Sequence, residues 1–304
     1  MSSSIMVVGS INMDLVVRCD EIPRIGETLM GEKLLQIPGG KGANQAVSIA
    51  RLGNEVIFLG KIGRDNFGRE MLQSMDRANI NTKYIQRENT PTGIAIINVD
   101  KQGNNNIIVI PGSNNEVDKN YLIKNKEAIK KSDIILFQLE IPIETVRYGL
   151  NISKKLGKTT ILNPAPAHDL DDEMISNIDI LIPNEHELER MSKVIIQDRE
   201  SIIEGAKVLL NKGIKMLIVT LGSKGAFYMD HDKYQFFEAY KVDVKDTTAA
   251  GDSFIGGFVS SYAENRDIIK AIDIGQKAAS ITIQRIGAQS SLPFKSEIDN
   301  FLIS

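Results

Sequence analysis

The chain has 304 residues, 42 % hydrophobic and 25 % charged, enough apolar material for one large α/β domain or two small ones. Lysine plus arginine number 36 against 39 acidic residues, a formal net charge of −3, which argues against nucleic acid as the main partner because phosphate neutralisation needs a basic face. The single cysteine, Cys19, excludes an internal disulfide, and no apolar run reaches the ~20 residues of a membrane helix. The start carries no basic segment of a signal peptide, so a cytoplasmic chain with no membrane partner is the expectation.

Short apolar runs predict buried strands over 5–8, 56–59, 134–139, 160–162, 180–182 and 216–220. Helical patterns alternate with them over 42–52, 67–78, 118–131, 143–156, 184–191, 199–212, 250–263 and 267–285. The first of these helices places Ala43, Ala46, Val47 and Ala50 on one face and stops at Gly53, a residue suited to a left-handed cap. Such alternation predicts an α/β fold, a mostly parallel sheet flanked by helices on both faces, over a single domain spanning 1–304. Two regions, 15–38 and 92–111, break the rhythm. They carry Leu15-Val16-Val17, Gly93-Ile94-Ala95-Ile96-Ile97-Asn98-Val99 and Asn106-Ile107-Ile108-Val109-Ile110, with the turn Asp100-Lys101-Gln102-Gly103-Asn104 between the last two. This is hairpin chemistry. Together the two regions read as a small antiparallel β-sheet projecting as a lid, with edges that a substrate and a second subunit would cover.

Five stretches carry chemistry. In Asp246-Thr247-Thr248-Ala249-Ala250-Gly251-Asp252-Ser253-Phe254 a loop of small residues runs into a helix, where unpaired amides and the positive end of the macrodipole can hold an anion. Asp252 there either caps the helix or accepts a proton from a hydroxyl. Pro38-Gly39-Gly40-Lys41-Gly42-Ala43-Asn44-Gln45 is an unobstructed loop, but Gly42 stands where a P-loop needs Ser or Thr after its lysine. Gly9-Ser10-Ile11-Asn12-Met13-Asp14 lacks the dinucleotide fingerprint, which disfavours a nicotinamide enzyme. It does place Asn12 and Asp14 just past a strand's carboxyl end, as Glu140 lies past another, and that is where ligands of open α/β sheets bind. Asn, Asp, Lys and a second carboxylate suit a polyhydroxylated ligand, since each hydroxyl both donates and accepts. Asn184 and Glu187, three apart at a helix start, form either a capping box or a support for hydrated Mg²⁺. The turn Thr220-Leu221-Gly222-Ser223-Lys224-Gly225 either admits a nucleotide phosphate or is a plain turn. His168, His186 and His231 show no metal-ligand spacing.

With Asn163-Pro164-Ala165-Pro166-Ala167 and Pro183-Asn184-Glu185, these stretches resemble, in order and spacing from Gly9 to Pro293, the ribokinase-like family of carbohydrate kinases. The resemblance implies a phosphotransferase with an alcohol acceptor, moving phosphate from MgATP to the 5-hydroxyl of D-ribose to give D-ribose 5-phosphate and ADP. It implies Asp252 as general base and the amides of Ala249, Ala250, Gly251 and Asp252 as an anion hole. It implies Asn12, Asp14, Gly40, Lys41, Gly42, Asn44 and Glu140 as sugar ligands, alongside Asp252. Asn184, Thr220, Gly222, Ser223, Gly225, Gly251 and Gln276 would line the ATP site, with Glu187 near Mg²⁺ through water. A K⁺ ion would sit by Asp246, Thr248, Thr282, Arg285, Gly287 and Ser291, several through backbone carbonyls, and paired lids would make a homodimer. Ala249 stands where many relatives have Gly, a change that a tight anion loop tolerates at negative φ. Gln276 is at a position that the family varies.

Around 12–14 and 39–44 only Lys41 is cationic and no aromatic is present. That speaks against a phosphosugar kinase, which needs further cations, and against a nucleoside kinase, which needs a slot for a base. The nearest alternative sugar is 2-deoxyribose; Asn12 with Asp14 favours ribose through its 2-hydroxyl. A non-catalytic sugar-binding regulator is the alternative of another class, and Asp252 with its anion loop argues against it.

Overall fold

In the computed structural model, which describes residues 3–301, the aliphatic run Ile5–Val8 sits near one edge of an eight-stranded sheet and is buried throughout. The strand order is Tyr234–Phe237, Ala226–Asp230, Met216–Thr220, Ile180–Leu181, Thr159–Leu162, Ile134–Phe137, Ile5–Val8, Val56–Leu59. From Met216–Thr220 to Val56–Leu59 every pairing is parallel. Alternate side chains enter two cores, as expected of strands covered on both faces. Ile5, Val7, Ile134 and Leu136 join the core under helices Lys41–Arg51 and Ala250–Asn265. Met6, Val8, Ile135 and Phe137 join the one under Ile143–Lys155 and Arg199–Asn211.

The expected elements are present with a few differences. The strand predicted over 134–139 ends at Phe137, because the chain turns there to send Gln138 and Glu140 toward the sheet's carboxyl end. The helix predicted over 118–131 is two, Lys119–Lys124 and Lys126–Lys131, parted where the Asn125 side chain bonds the Tyr121 carbonyl. Two further strands, Ala226–Asp230 and Tyr234–Phe237, extend the sheet as an antiparallel hairpin. Among the described residues no helix is long and apolar enough to cross a membrane.

A second sheet forms the lid, in the order Lys33–Gly39, Asn12–Arg18, Gly93–Val99, Asn105–Ile110. Both hairpin pairings are antiparallel as expected. The hairpins join, however, through a parallel pairing of Asn12–Arg18 with Gly93–Val99, so the lid is mixed. It also begins at Asn12, earlier than the expected 15, which places Asn12 and Asp14 on its first strand. All six residues of Asn105–Ile110 are exposed, Ile107 through Ile110 among them, as is Leu34 on the opposite edge strand.

Candidate active site

At the carboxyl ends of the parallel strands lies a cleft of about 250 Å³, lined by Lys41, Asn163, Asn184, Glu187, Thr220 and the segment from Ala249 to Asp252, with a few others. Helix Ala250–Asn265 opens onto it. Ala249, just before the helix, is left-handed at φ 60° and ψ 12°, so the condition of negative φ under which alanine is readily tolerated there is not met: the turn needs a conformation that a Cβ resists. The Ala250 amide is turned back onto the Thr247 carbonyl at 3.2 Å. Those of Gly251 and Asp252 belong to the first turn, which has no earlier carbonyl to take them. A Cβ at Gly251 would meet only open space.

On the lid side the glycines allow backbone to lie on backbone. Gly40 has φ +88°, and a Cβ there would stand 2.7 Å from the Asn12 amide nitrogen; at Gly42 it would be 2.6 Å from that of Ser10. A Cβ at Gly39 would overlap the Asp14 carboxyl. This approach brings Asn12, Asp14, Lys41, Asn44, Glu140 and Asp252 together. Asn12 Oδ1 accepts from Asn114 at 2.7 Å. Glu140 accepts from the Ser10 hydroxyl at 2.6 Å and from the Lys41 amide at 3.1 Å, satisfying the start of helix Lys41–Arg51. Burial, then the charges of Glu140 and Asp252, push Asp14 up to about 7 against the pull of Lys41. Burial disfavours the Lys41 ammonium, but the carboxylates of Asp252, Glu140, Glu187 and Asp14 outweigh it and raise its pKa.

Asp252 is 8 % exposed and held from two sides. Asn44 Nδ2 donates to its Oδ2 and Gln45 Nε2 to its Oδ1, each at 2.9 Å. Gln45, Gln138, Asn163, Ser10 and Asn114 were given no role by sequence reasoning. Gln45 and Asn163 lay inside conspicuous motifs, and Asn163, Gln138 and Ser10 each lie just past a sheet strand. That placement was the available signal.

On the opposite side Asn184 and Glu187 form the capping box, with both Glu187 oxygens taken by Asn184. Glu187 still lines the cleft, and burial raises its pKa. Thr220 bridges to Asn184, after which Gly222–Lys224 makes one tight turn ending at Gly225, where φ +95° and the nearby Phe237 carbonyl leave no room for a side chain. The Gln276 amide nitrogen donates to the Glu238 carbonyl at 3.0 Å and the Phe237 carbonyl at 3.4 Å, which leaves its amide oxygen for the expected nucleotide contact.

Beyond the helix start, Asp246 accepts from the Thr248 amide and hydroxyl and, at 2.9 Å, from the Gly287 amide. These bonds hold its pKa below the usual range despite burial. Ser291 donates to the Ala288 carbonyl, and Thr282 to the Ser253 hydroxyl at 2.7 Å. The Arg285 side chain leaves toward Glu297, so only its backbone remains to face this loop. The donor set is all oxygen, an ionised carboxylate with neighbouring carbonyls, which suits a hard cation. Among the described residues no three His, Cys, Asp or Glu side chains converge as a metal site.

Residues 2–295 match the model of the pfkB family carbohydrate kinases. The chain is 40 % identical over 303 residues to a ribokinase of Haemophilus influenzae, covering 99 % of each. It is 35 % identical over 300 residues to a deoxyribokinase of Salmonella typhi, covering 98 % of each. A solved structure of Arabidopsis thaliana ribokinase complexed with ribose and ATP superposes with a TM-score of 0.92 at 30 % identity, covering 98 % of both chains. A family match across nearly the whole chain, relatives of full-length coverage and a shared fold lead to one conclusion: this chain belongs to the pfkB family of carbohydrate kinases.

Proposed function

We propose that the chain is an ATP-dependent kinase that phosphorylates the 5-hydroxyl of D-ribose, giving D-ribose 5-phosphate and ADP. One observation carries the reading: Asp252, a buried carboxylate at a helix start facing the cleft, is gripped by the same helix, entered from a glycine loop, that presents Lys41 and Asn44. Ribokinases at 40 % identity and full length support the substrate.

Phosphoryl transfer is mostly positioning and charge stabilisation. The sugar is held by Asn12, Asp14, Lys41, Asn44 and Glu140, with Gly40 and Gly42 giving the close approach. Its 5-hydroxyl lies on Asp252, which takes the proton as the oxygen attacks the γ-phosphorus. Such a base typically contributes about 10²–10⁴-fold. The amides of Gly251 and Asp252, joined by that of Ala250 when it turns from Thr247, meet the charge on the phosphoryl oxygens; each such donor is worth ~3 kcal/mol in comparable sites. Asn184, Thr220 and the turn through Gly222, Ser223 and Gly225 hold the nucleotide.

Glu187 fits Mg²⁺ through water, since its oxygens are engaged by Asn184 yet it borders the cleft; the bound ion would neutralise phosphate charge. Asp246, Thr248, Thr282, Arg285, Gly287 and Ser291 would hold K⁺, whose charge would steady the anion loop. We place the enzyme in the cytoplasm, where ATP is available and Cys19 stays reduced. The chain would act as one domain and as a homodimer through the exposed apolar lid.

The test is coupled ADP release with Mg²⁺, ATP and K⁺, comparing kcat/KM for D-ribose, 2-deoxy-D-ribose, D-fructose and adenosine. A ribose preference of about tenfold or more is expected, with Asn12 and Asp14 reading the 2-hydroxyl. Preference for 2-deoxyribose, as the name of the Salmonella relative suggests for that protein, would overturn the sugar-site reading. No turnover of any acceptor would favour a sugar-binding regulator.

A further inference from the structure

We propose that Gln45 is the positioning residue of Asp252, fixing the carboxylate so that Oδ2 is the oxygen that receives the sugar proton. The inference rests on Asp252 as the general base.

Gln45 is fully buried, and both polar atoms of its amide are engaged. Nε2 donates to Asp252 Oδ1 at 2.9 Å and to Asn163 Oδ1 at 3.1 Å, and Oε1 accepts from Gln138 Nε2 at 2.6 Å. Its orientation is dictated from both ends. Asn163 donates through Nδ2 to the Ile182 carbonyl at 3.0 Å; a carbonyl can only accept, so Asn163 must turn Oδ1 toward Gln45. An ionised Asp252 likewise only accepts, so Gln45 must turn Nε2 toward both. Gln138, Asn163 and Ile182 each follow the end of a sheet strand, Ile134–Phe137, Thr159–Leu162 and Ile180–Leu181, which are neighbours in the sheet. The carboxylate is thus referenced to three adjacent strands through one side chain.

The second donor differs. Asn44 gives Nδ2 to Oδ2, but its own buried Oδ1 has no partner. Buried polar groups are rarely left unpaired, so Asn44 holds unspent capacity that a sugar hydroxyl can take up. Gln45 has no donor to spare and no orphaned atom. When the sugar enters, Asn44 can exchange its partner and uncover Oδ2, while Gln45 keeps Oδ1 and the carboxylate plane in place.

The charges of Lys41, Asp14 and Glu187 also act on Asp252, with Glu140 beside Lys41 and Asp14. Gln45 bonds none of them, so Gln45→Met leaves them in place while removing a donor to the ionised base. Two changes are expected in that variant and a third result in its combination with Asp252→Asn. Turnover falls at least about tenfold while KM for D-ribose and for ATP moves less than about threefold, the pattern of a group acting only in the transition state. The acid limb of the kcat profile moves to higher pH, because a hydrogen bond favouring the charged form is gone. The double variant Gln45→Met/Asp252→Asn is no slower than Asp252→Asn alone. A multiplicative loss in the double variant, or an acid limb that stays put, overturns the proposal. If Gln45→Met fails to fold, Gln45→Asn, which keeps the amide but withdraws it by one methylene, is read by the same two criteria. Asp252→Asn alone tests the underlying reading: near-normal turnover there removes Asp252 as base, whatever Gln45 does.

Discussion

Asp14 is a buried acid whose environment opposes its charge, and replacing it with asparagine should strengthen the fold while weakening the sugar site. Its pKa stands at about 7 in the folded chain against 3.8 for the free side chain, raised by burial and then by Glu140 and Asp252. Below pH 3.8 the group is protonated in both states and costs nothing. As pH rises toward 7 the unfolded chain releases the proton while the folded chain keeps it, so stability falls. Above that the full cost remains, about 3 units at 1.36 kcal/mol each, or about 4 kcal/mol. At pH 5 the same arithmetic gives about 1.6 kcal/mol. Asp14→Asn should therefore gain roughly 2.5 kcal/mol more at pH 8 than at pH 5, which for a chain of this size is about 5 °C in Tm. Scanning calorimetry of the sugar-free protein at both pH values measures this. KM for D-ribose should rise at least about tenfold at pH 8, since the variant removes a charged acceptor from the proposed sugar site. A Tm difference that is the same at pH 5 and pH 8 would refute the account of Asp14.

Three further outcomes are expected. Ala249→Gly relieves a left-handed φ of 60° and should raise stability by about 1 kcal/mol, read as an increased urea midpoint; an unchanged or lower midpoint would show the turn unstrained. Ile108→Lys puts a charge in the exposed apolar lid strand and should raise the dimer dissociation constant at least about tenfold in sedimentation, with the far-ultraviolet spectrum kept; unaltered association would place the interface elsewhere. Replacing K⁺ with Na⁺ or a large organic cation should lower kcat, and Asp246→Asn should abolish the difference; equal rates with and without K⁺ would remove the cation site.

Most of the central sheet was legible because Ile5–Val8, Val56–Leu59 and Ile134–Phe137 are short apolar runs bounded by polar turns, the signature of strands covered on both faces. The hairpin Ala226–Asp230 with Tyr234–Phe237 escaped notice, since its aromatics are interrupted by Asp230, His231 and Asp232, and its place in the sheet is set by Thr220 and its strand rather than by local pattern. Likewise the hairpin over 93–110 was readable from its turn and that over 15–38 from its β-branched run, but the parallel join between Asn12–Arg18 and Gly93–Val99 pairs residues some eighty positions apart and has no local sign. At the site, Asp252, Lys41 and Asn44 stood out because small-residue loops flank them. Gln45 did not, because its role depends on amides delivered by Gln138 and Asn163 from separate strands. The amide nitrogen of Gln276 is engaged by backbone carbonyls brought in by the Tyr234–Phe237 strand, a partner that local sequence does not announce.

The strand Asn12–Arg18 runs from the sugar cluster to the outer part of the lid, hydrogen-bonded on both sides along its length. Its 7 residues span about 23 Å at ~3.3 Å each, so a tilt of about 10° displaces the far end by roughly 4 Å while Asn12 scarcely moves. The proposed sugar ligands thus sit at a fulcrum and the exposed apolar edge at the end of the arm. Small adjustments around a bound sugar become large excursions of the surface where a second copy would dock. In the proposed lid-to-lid dimer the two arms would meet, and occupancy of one fulcrum would be felt at the other. Communication between the two sugar sites would then need no dedicated relay beyond a stiff strand.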